Sequence, residues 1–209
     1  TGMLMLREGK PLDVYCTDMV KQDLTTGFPL FNMLAHYCTV NHHPVPVDGS
    51  SFTIPAIADL RFYTQALKSK APPYSPHRHD PHQGDNIGVI IEQISTGKKV
   101  FYSPGLGEIE PHVMEAMQAV DCLLVDGTFW TDDEMCTQNI SHKKAREIGH
   151  LPQSGPGGMI AVLNDVKKAR KILIHINNTN PILDDDSEQR KILDAVGIEV
   201  AYDGLEIDL

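Results

Sequence analysis

No CxxC pair occurs in this chain. Its four cysteines, Cys16, Cys38, Cys122 and Cys136, are scattered through 209 residues. That spacing fits neither a zinc knuckle nor a thioredoxin motif. Sparse, unpaired usage fits a reducing cytoplasm, so all four are expected as free thiols without zinc. Basic runs are missing too. The densest group is Lys167-Lys168 with Arg170-Lys171, and the formal charge is -10. Both argue against a nucleic-acid surface. No apolar segment approaches the length of a bilayer span, and no signal-peptide pattern is visible. Nucleophile elbow, P-loop and Rossmann glycine fingerprint are all absent. So are internal repeats and low-complexity tracts. The first residue is Thr1 rather than Met, which raises the expectation of a processed or truncated N-terminus.

What is present is enough apolar material for one sizeable core, at 41% of residues. Leu12 to Cys16 reads as a short strand, and Thr17 as the N-cap of a helix to about Leu24. Phe28 to Tyr37 is a second helical candidate, with Leu30, Phe31, Leu34 and Tyr37 on one face. Leu60, Phe62 and Thr64 alternate as in a half-buried strand. Ile87 to Ile94 and Lys99 to Tyr102 flank Ser95-Thr96-Gly97-Lys98 as a hairpin. Pro111 suits the first turn of a helix to about Val120, and Asp121 to Asp126 is a buried strand with Cys122 as a small core residue. Ser187 to Val196 reads as a helix with Asp186 and Gln189 as a capping box. Ile198 to Tyr202, Asp203-Gly204 and Leu205 to Asp208 read as a closing hairpin with a type I′ turn. Strands occur both as hairpins and in alternation with helices, which predicts α/β layers with mixed sheets. Residues 71 to 86 hold four prolines and three histidines. They read as a long irregular loop, of the kind that forms lids or binding loops.

The chemistry concentrates at two strand ends. In KILIHINNTNP, residues 171–181, an apolar run is interrupted by His175 and followed by a turn rich in amides. A metal ligand or catalytic base is commonly placed there in α/β proteins. A core histidine satisfied by backbone hydrogen bonds is the competing interpretation. In DCLLVDGTFW, Asp126 ends a buried run beside Gly127. Such a carboxylate binds a metal, orients a histidine, or forms an Asx-turn with its own backbone. If the two strands are neighbours, oxygen and nitrogen ligands meet at one sheet edge, a set that suits iron, manganese or zinc. His150, between Gly149 and Pro152, projects from a constrained loop as a general acid or base would, or simply as a surface histidine. His77, His79 and His82 form HxHxxH, but Arg78 and Pro81 interleave and Pro76 precedes, and exposed loop histidines are the simpler account. Lys70 and Arg78 bracket Ala71-Pro72-Pro73-Tyr74 and could clamp a substrate carboxylate, the alternative being solvated charges. Tyr74 and Asn178 join them as substrate-binding candidates. Asp184-Asp185-Asp186 reads as a solvated helix N-terminus.

Seven segments together carry a resemblance: LREG at 6–9, TGFP at 26–29, APPYSP at 71–76, PGLGE at 104–108, DCLLVDGTFW at 121–130, GHLP at 149–152 and ILIHINNTNP at 172–181. They resemble the coenzyme PQQ synthesis protein B family from end to end. The resemblance implies a metallo-β-lactamase-like αββα fold, as a single domain over 1–209 lacking its N-terminal part. It implies a role in pyrroloquinoline quinone biosynthesis, as an Fe(II)-dependent, oxygen-using hydroxylase. The substrate implied is the tyrosine ring of a Glu-Tyr unit derived from a precursor peptide. An older family label is transport of the quinone, and hydrolysis of the metallo-β-lactamase kind is a third possibility. Other proteins of the same biosynthesis are the implied partners, and the cytoplasm the implied compartment. By resemblance His175 is a metal ligand and Asp126 matches the late aspartate of the wider superfamily. Ser69-Lys70 stands where that superfamily often has a histidine, so a full two-metal site is not expected. The family's structural zinc motif, CxCxxC, and its Asp-His pair would both lie upstream of Thr1. The chain alone is therefore expected to be inactive.

Overall fold

The computed structural model describes residues 2–8 and 10–209. Thr1, and Gly9 of the LREG segment, lie outside the described residues. Nine strands occur among the described residues: β1 (Leu12–Cys16), β2 (Val40–Pro44), β3 (Ser51–Thr53), β4 (Leu60–Ala66), β5 (Ile87–Gln93), β6 (Lys99–Ser103), β7 (Cys122–Asp126), β8 (Arg170–Ile174) and β9 (Ile198–Val200). Helices α1 (Gly2–Met5), α2 (Asp18–Gln22) and α3 (Leu30–Leu34) lie near the start. Helices α4 (Pro111–Gln118), α5 (Glu134–Thr137), α6 (Met159–Asp165) and α7 (Glu188–Ala195) lie between the later strands.

β1 and β2 form a parallel pair, while β3 to β9 form one seven-stranded sheet in sequence order. Its first half is antiparallel and its second half, from β6 to β9, is parallel. The parallel half is where helices intervene, because a parallel crossover needs a long connection that returns the chain to its starting edge. Phe101, Leu123, Val125 and Leu173 of the sheet pack with Met117 of α4, Leu163 of α6 and Leu193 of α7 in one continuous core. Each such fully buried side chain contributes about 1.5–3 kcal/mol of transfer free energy. The core therefore packs along β6, β7 and β8. Among the described residues no helix is long and apolar enough to cross a membrane.

The expected strands, the 87–102 hairpin and the Pro111 helix fall where the sequence pattern puts them, while β2 and β3 arise where no strand was expected. Thr17 caps α2 by accepting the Val20 N–H. Four local expectations are corrected. The helix expected to end near Leu24 continues as a π turn over Asp23–Gly27. Thr25 and Thr26 hydroxyls bond back to the carbonyls of Lys21 and Gln22, and a Cβ on Gly27 would overlap the Tyr74 carbonyl. The helix expected over 28–37 is only Leu30–Leu34, and Tyr37 leaves the apolar face to lie 61% exposed under Arg7. The cap of α7 is one residue later than expected. Extended Ser187 accepts the Arg190 N–H, while Asp184 forms its own turn with the Asp186 N–H. The closing hairpin is absent. β9 instead pairs in parallel with β8, and only a turn from Tyr202 to Leu205 follows. A type I′ turn needs positive φ at both central residues. Gly204 has it and Asp203 does not.

Candidate metal centre

β7 and β8 are adjacent and parallel, with Asp126 opposite Ile174. This register puts the residues that follow them at one edge of the sheet. The strands approach closely there. The Gly127 N–H donates to the Ile174 carbonyl at 2.7 Å. A Cβ on Gly127 would lie 2.9 Å from that oxygen and from Leu173 Cβ. One residue on, His175 adopts φ 56, a left-handed conformation rare outside glycine. That twist ends the ladder and turns the imidazole out of the sheet, so His175 is exposed rather than packed. The core-histidine alternative is thereby corrected, because alternation along a strand stops applying where the strand stops.

Asp126 is fully buried, at 0% exposure. Its carboxylate accepts four hydrogen bonds. Oδ1 takes the Thr128 N–H at 3.0 Å and the Thr128 hydroxyl at 2.5 Å. Oδ2 takes the Leu106 N–H at 2.9 Å and His150 Nδ1 at 2.7 Å. The Asx-turn and the histidine-orienting role are therefore both real and use the same side chain. Thr128 Oγ1 also lies 2.9 Å from His175 Nδ1 and 3.1 Å from His150 Nδ1. A hydroxyl has one proton, and the short bond to the buried carboxylate takes it. Thr128 then accepts from His175 Nδ1–H. With that proton placement both imidazoles direct Nδ1 inward, and neither Nε2 has a hydrogen-bond partner among the described residues. The two rings stack with centroids 5.5 Å apart and planes 14° from parallel. Among the described residues, Asp126, His150 and His175 are the one group whose ligand-type atoms all lie within 4.8 Å of one another.

His150 reaches this point because Gly149, at φ 93, ends the short 3₁₀ turn Arg146–Ile148 in a left-handed cap. The Leu151 N–H then fastens the loop to the Leu106 carbonyl at 2.9 Å. Asn180, which the sequence reading passed over, staples the other side. Its amide donates to the carbonyls of Gly127 and Thr128 and to Gln153 Oε1, at 3.0, 3.2 and 2.9 Å. Thr128 was likewise visible only as part of a turn. The one signal for either was a polar residue in a turn directly after a buried strand.

The remaining candidates are dispersed. Lys70 is exposed and donates to the Glu147 carbonyl at 3.0 Å, just ahead of His150. Arg78 donates to the Ala71 carbonyl, and Tyr74 packs on Phe28 with ring centroids 5.6 Å apart. Asn178 is exposed at the tip of the turn after His175. His77 and His82 meet edge-on at 4.4 Å, and His79 is exposed. The 71–86 loop is tied down by buried bonds, Ser75 Oγ to Asp23 Oδ1 at 2.6 Å and Thr17 Oγ1 to the Gly84 carbonyl at 2.7 Å. The four cysteines are unpaired, and burial pushes the Cys122 and Cys16 thiols up from their ordinary values.

A mixed α/β sheet with histidine and carboxylate groups at the ends of its parallel strands defines a metallo-β-lactamase-fold protein, and a sequence profile for the β-lactamase superfamily domain matches residues 1–176. The coenzyme PQQ synthesis protein B of Methylococcus capsulatus is 69% identical over 210 residues, covering 100% of this chain and 69% of that protein. The crystal structure of Zn²⁺-bound PqqB from Methylobacterium extorquens aligns with a TM-score of 0.79 at 30% identity, over 100% of this chain and 66% of that one. A diphosphatase of the PhnP family, 15% identical with a TM-score of 0.59 over 96% of this chain and 60% of its own, shares the fold alone. The chain belongs to the coenzyme PQQ synthesis protein B family. It spans about two thirds of the length of these relatives.

Proposed function

We propose that this chain, read as one domain over 1–209, carries the metal-facing and proton-handling groups of an enzyme of pyrroloquinoline quinone biosynthesis. The single observation that carries the reading is the placement of His150 Nδ1 on Asp126 Oδ2 and of His175 Nδ1 on Thr128 Oγ1 at one sheet edge, neither Nε2 being engaged in a hydrogen bond among the described residues. Family membership supports the pathway, and Zn²⁺ in a relative supports a metal. The donor chemistry fits a divalent ion, since an exposed neutral imidazole with its other nitrogen anchored is the usual form of a histidine ligand. His175 Nε2 is the ligand this chain offers. Asp126, expected as a metal ligand, belongs with both histidines to the one candidate metal group among the described residues. Its four hydrogen bonds favour orienting His150 over direct metal binding.

Iron at this site would supply the redox chemistry for hydroxylating a tyrosine ring in a Glu-Tyr unit from a precursor peptide. The balance is one ring C–H, dioxygen, two electrons and two protons in, with one phenol C–OH and water out. Within that reaction His150 Nε2 takes or returns a proton, and the Asp126 carboxylate at its Nδ1 steadies the charge that results. Lys70, Tyr74, Arg78 and Asn178 are the proposed substrate contacts, with Lys70 beside the His150 loop. The cytoplasm is the proposed setting and other enzymes of the same biosynthesis the proposed partners. Zinc in a relative favours one rival, hydrolysis by metal-activated water. The test supplies the protein with Fe²⁺ or Zn²⁺, dioxygen, a reductant and Glu-Tyr compounds. Oxygen uptake matched by a mass gain of one oxygen atom, with Fe²⁺ only, supports the reading. Cleavage without oxygen uptake refutes it in favour of hydrolysis, and tight binding without turnover refutes it in favour of a carrier.

A further inference from the structure

Glu134 opens α5 and is buried, at 4% exposure. Burying a carboxylate costs several kcal/mol. A glutamine would fill nearly the same volume without that cost, so the position calls for a specific use of two acceptor oxygens. Oε2 accepts the Trp130 N–H at 2.6 Å, in the turn that follows β7. Oε1 accepts the Thr179 hydroxyl at 2.5 Å, in the turn that follows β8. One carboxylate therefore bridges the two turns that follow Asp126 and His175.

Its effect continues along the chain of bonds. A carboxylate accepts only, so the Thr179 hydroxyl must point its proton at Glu134. Thr179 Oγ1 then has only lone pairs to offer Asn177, whose Nδ2 amide donates to it at 2.5 Å. The Asn177 backbone N–H is held in turn by the Thr128 carbonyl at 3.1 Å. Asn177 lies two residues after His175, whose left-handed φ of 56 costs about 1–2 kcal/mol and persists only where the surroundings over-determine it. Gln138 and Asn180 add bonds to the same turn, but neither reads the direction of the Thr179 proton.

We propose that Glu134 is a positioning residue for the His175 imidazole, acting through Thr179 and Asn177. This rests on His175 Nε2 being a metal ligand. The test uses the 209-residue chain with Glu134→Gln, Thr179→Val, their combination, and His175→Ala as a reference. Zn²⁺ affinity is measured by competition with a chromophoric chelator. The His175 ring nitrogens and the Asn177 amide are followed by NMR without metal, with thermal unfolding as the fold control.

Each single variant is expected to weaken Zn²⁺ binding about 10-fold, the lower part of the range for groups that hold a ligand in place. The double variant should be no more than about twofold worse than either single, because both act through one link. Asn177 amide exchange should accelerate and the single Nδ1–H form of His175 should become a mixture. Unchanged His175 tautomer and unchanged Asn177 exchange in Glu134→Gln overturn the proposal, whatever Thr179→Val does to the fold. Unchanged Zn²⁺ affinity in His175→Ala sinks the ligand reading instead, and the NMR measurements then decide the positioning role by themselves.

Discussion

Replacing Asp126 with Asn removes a charge while keeping the shape, and the structure fixes what that must cost. Each carboxylate oxygen faces one backbone N–H, Thr128 on Oδ1 and Leu106 on Oδ2. Backbone donors cannot turn away. Whichever way the amide is oriented, its NH₂ group is set against one buried N–H, which is left unpaired. An orphaned buried donor costs about 1–3 kcal/mol. The bonds that survive lose their charge assistance, about 1 kcal/mol each, since hydrogen bonds to ions contribute about twice as much as neutral ones. Allowing for the Thr128 hydroxyl, which rotates to relieve part of this, Asp126→Asn should lose about 2–5 kcal/mol. That is a large share of the roughly 5–15 kcal/mol that holds a domain together. Urea unfolding at neutral pH, followed by circular dichroism, measures the loss. If turnover is established, it should fall by about 10²–10⁴-fold, because His150 loses the anion that balances its charge. A loss of stability below about 0.5 kcal/mol, the ordinary range for surface changes, would show that the carboxylate is not engaged by these donors. Unchanged stability with complete loss of metal binding would make Asp126 a ligand after all.

His175→Ala should reduce metal affinity by more than about 100-fold, beyond what groups behind a ligand achieve. His150→Ala should keep its metal and lose about 10²–10⁴-fold in rate; bound metal per chain and turnover separate the two. Gly127→Ala should destabilise by about 1–3 kcal/mol in urea, because its Cβ meets the Ile174 carbonyl and Leu173 Cβ at 2.9 Å with no flexible atom to give way. Hydrogen bonding to Arg170 at 2.7 and 2.8 Å holds the Glu199 carboxyl below its ordinary value. A lowered folded value means the contribution is present above the usual carboxylate range and lost as pH falls through the folded one. Glu199→Gln should therefore be less stable than the native chain at neutral pH and equal to it in strong acid, and a constant difference across that range would contradict the assignment. The isolated chain, with the exposed His175 imidazole as its one histidine ligand, should bind Fe²⁺ more weakly than the full-length Methylococcus capsulatus relative. Equal stoichiometric iron in both would refute this.

What the sequence by itself determined was most of the central strands, though not β2 or β3, and where their chemistry would surface. Continuous apolar runs such as Leu123 to Val125 and Ile172 to Ile174 read as strands in a covered sheet, because burial on both faces leaves no polar alternation. Polar residues immediately after such runs must emerge at the sheet edge, which is how Asp126 and His175 were legible. The motif resemblance added the family. Local pattern failed where a choice depended on a partner far along the chain. Whether Ile198 to Asp208 closed a hairpin depended on β8 offering Val200 a parallel partner. That the Asp126 carboxylate is held by Leu106 and His150 as well as by its own turn depended on two separate segments. The Glu134 bridge to Thr179 spans 45 residues and leaves no periodic trace. Side-chain hydrogen bonds are directional and short-ranged, so only the tertiary structure, which brings their partners within 3 Å, decides which of a polar residue's several options is taken.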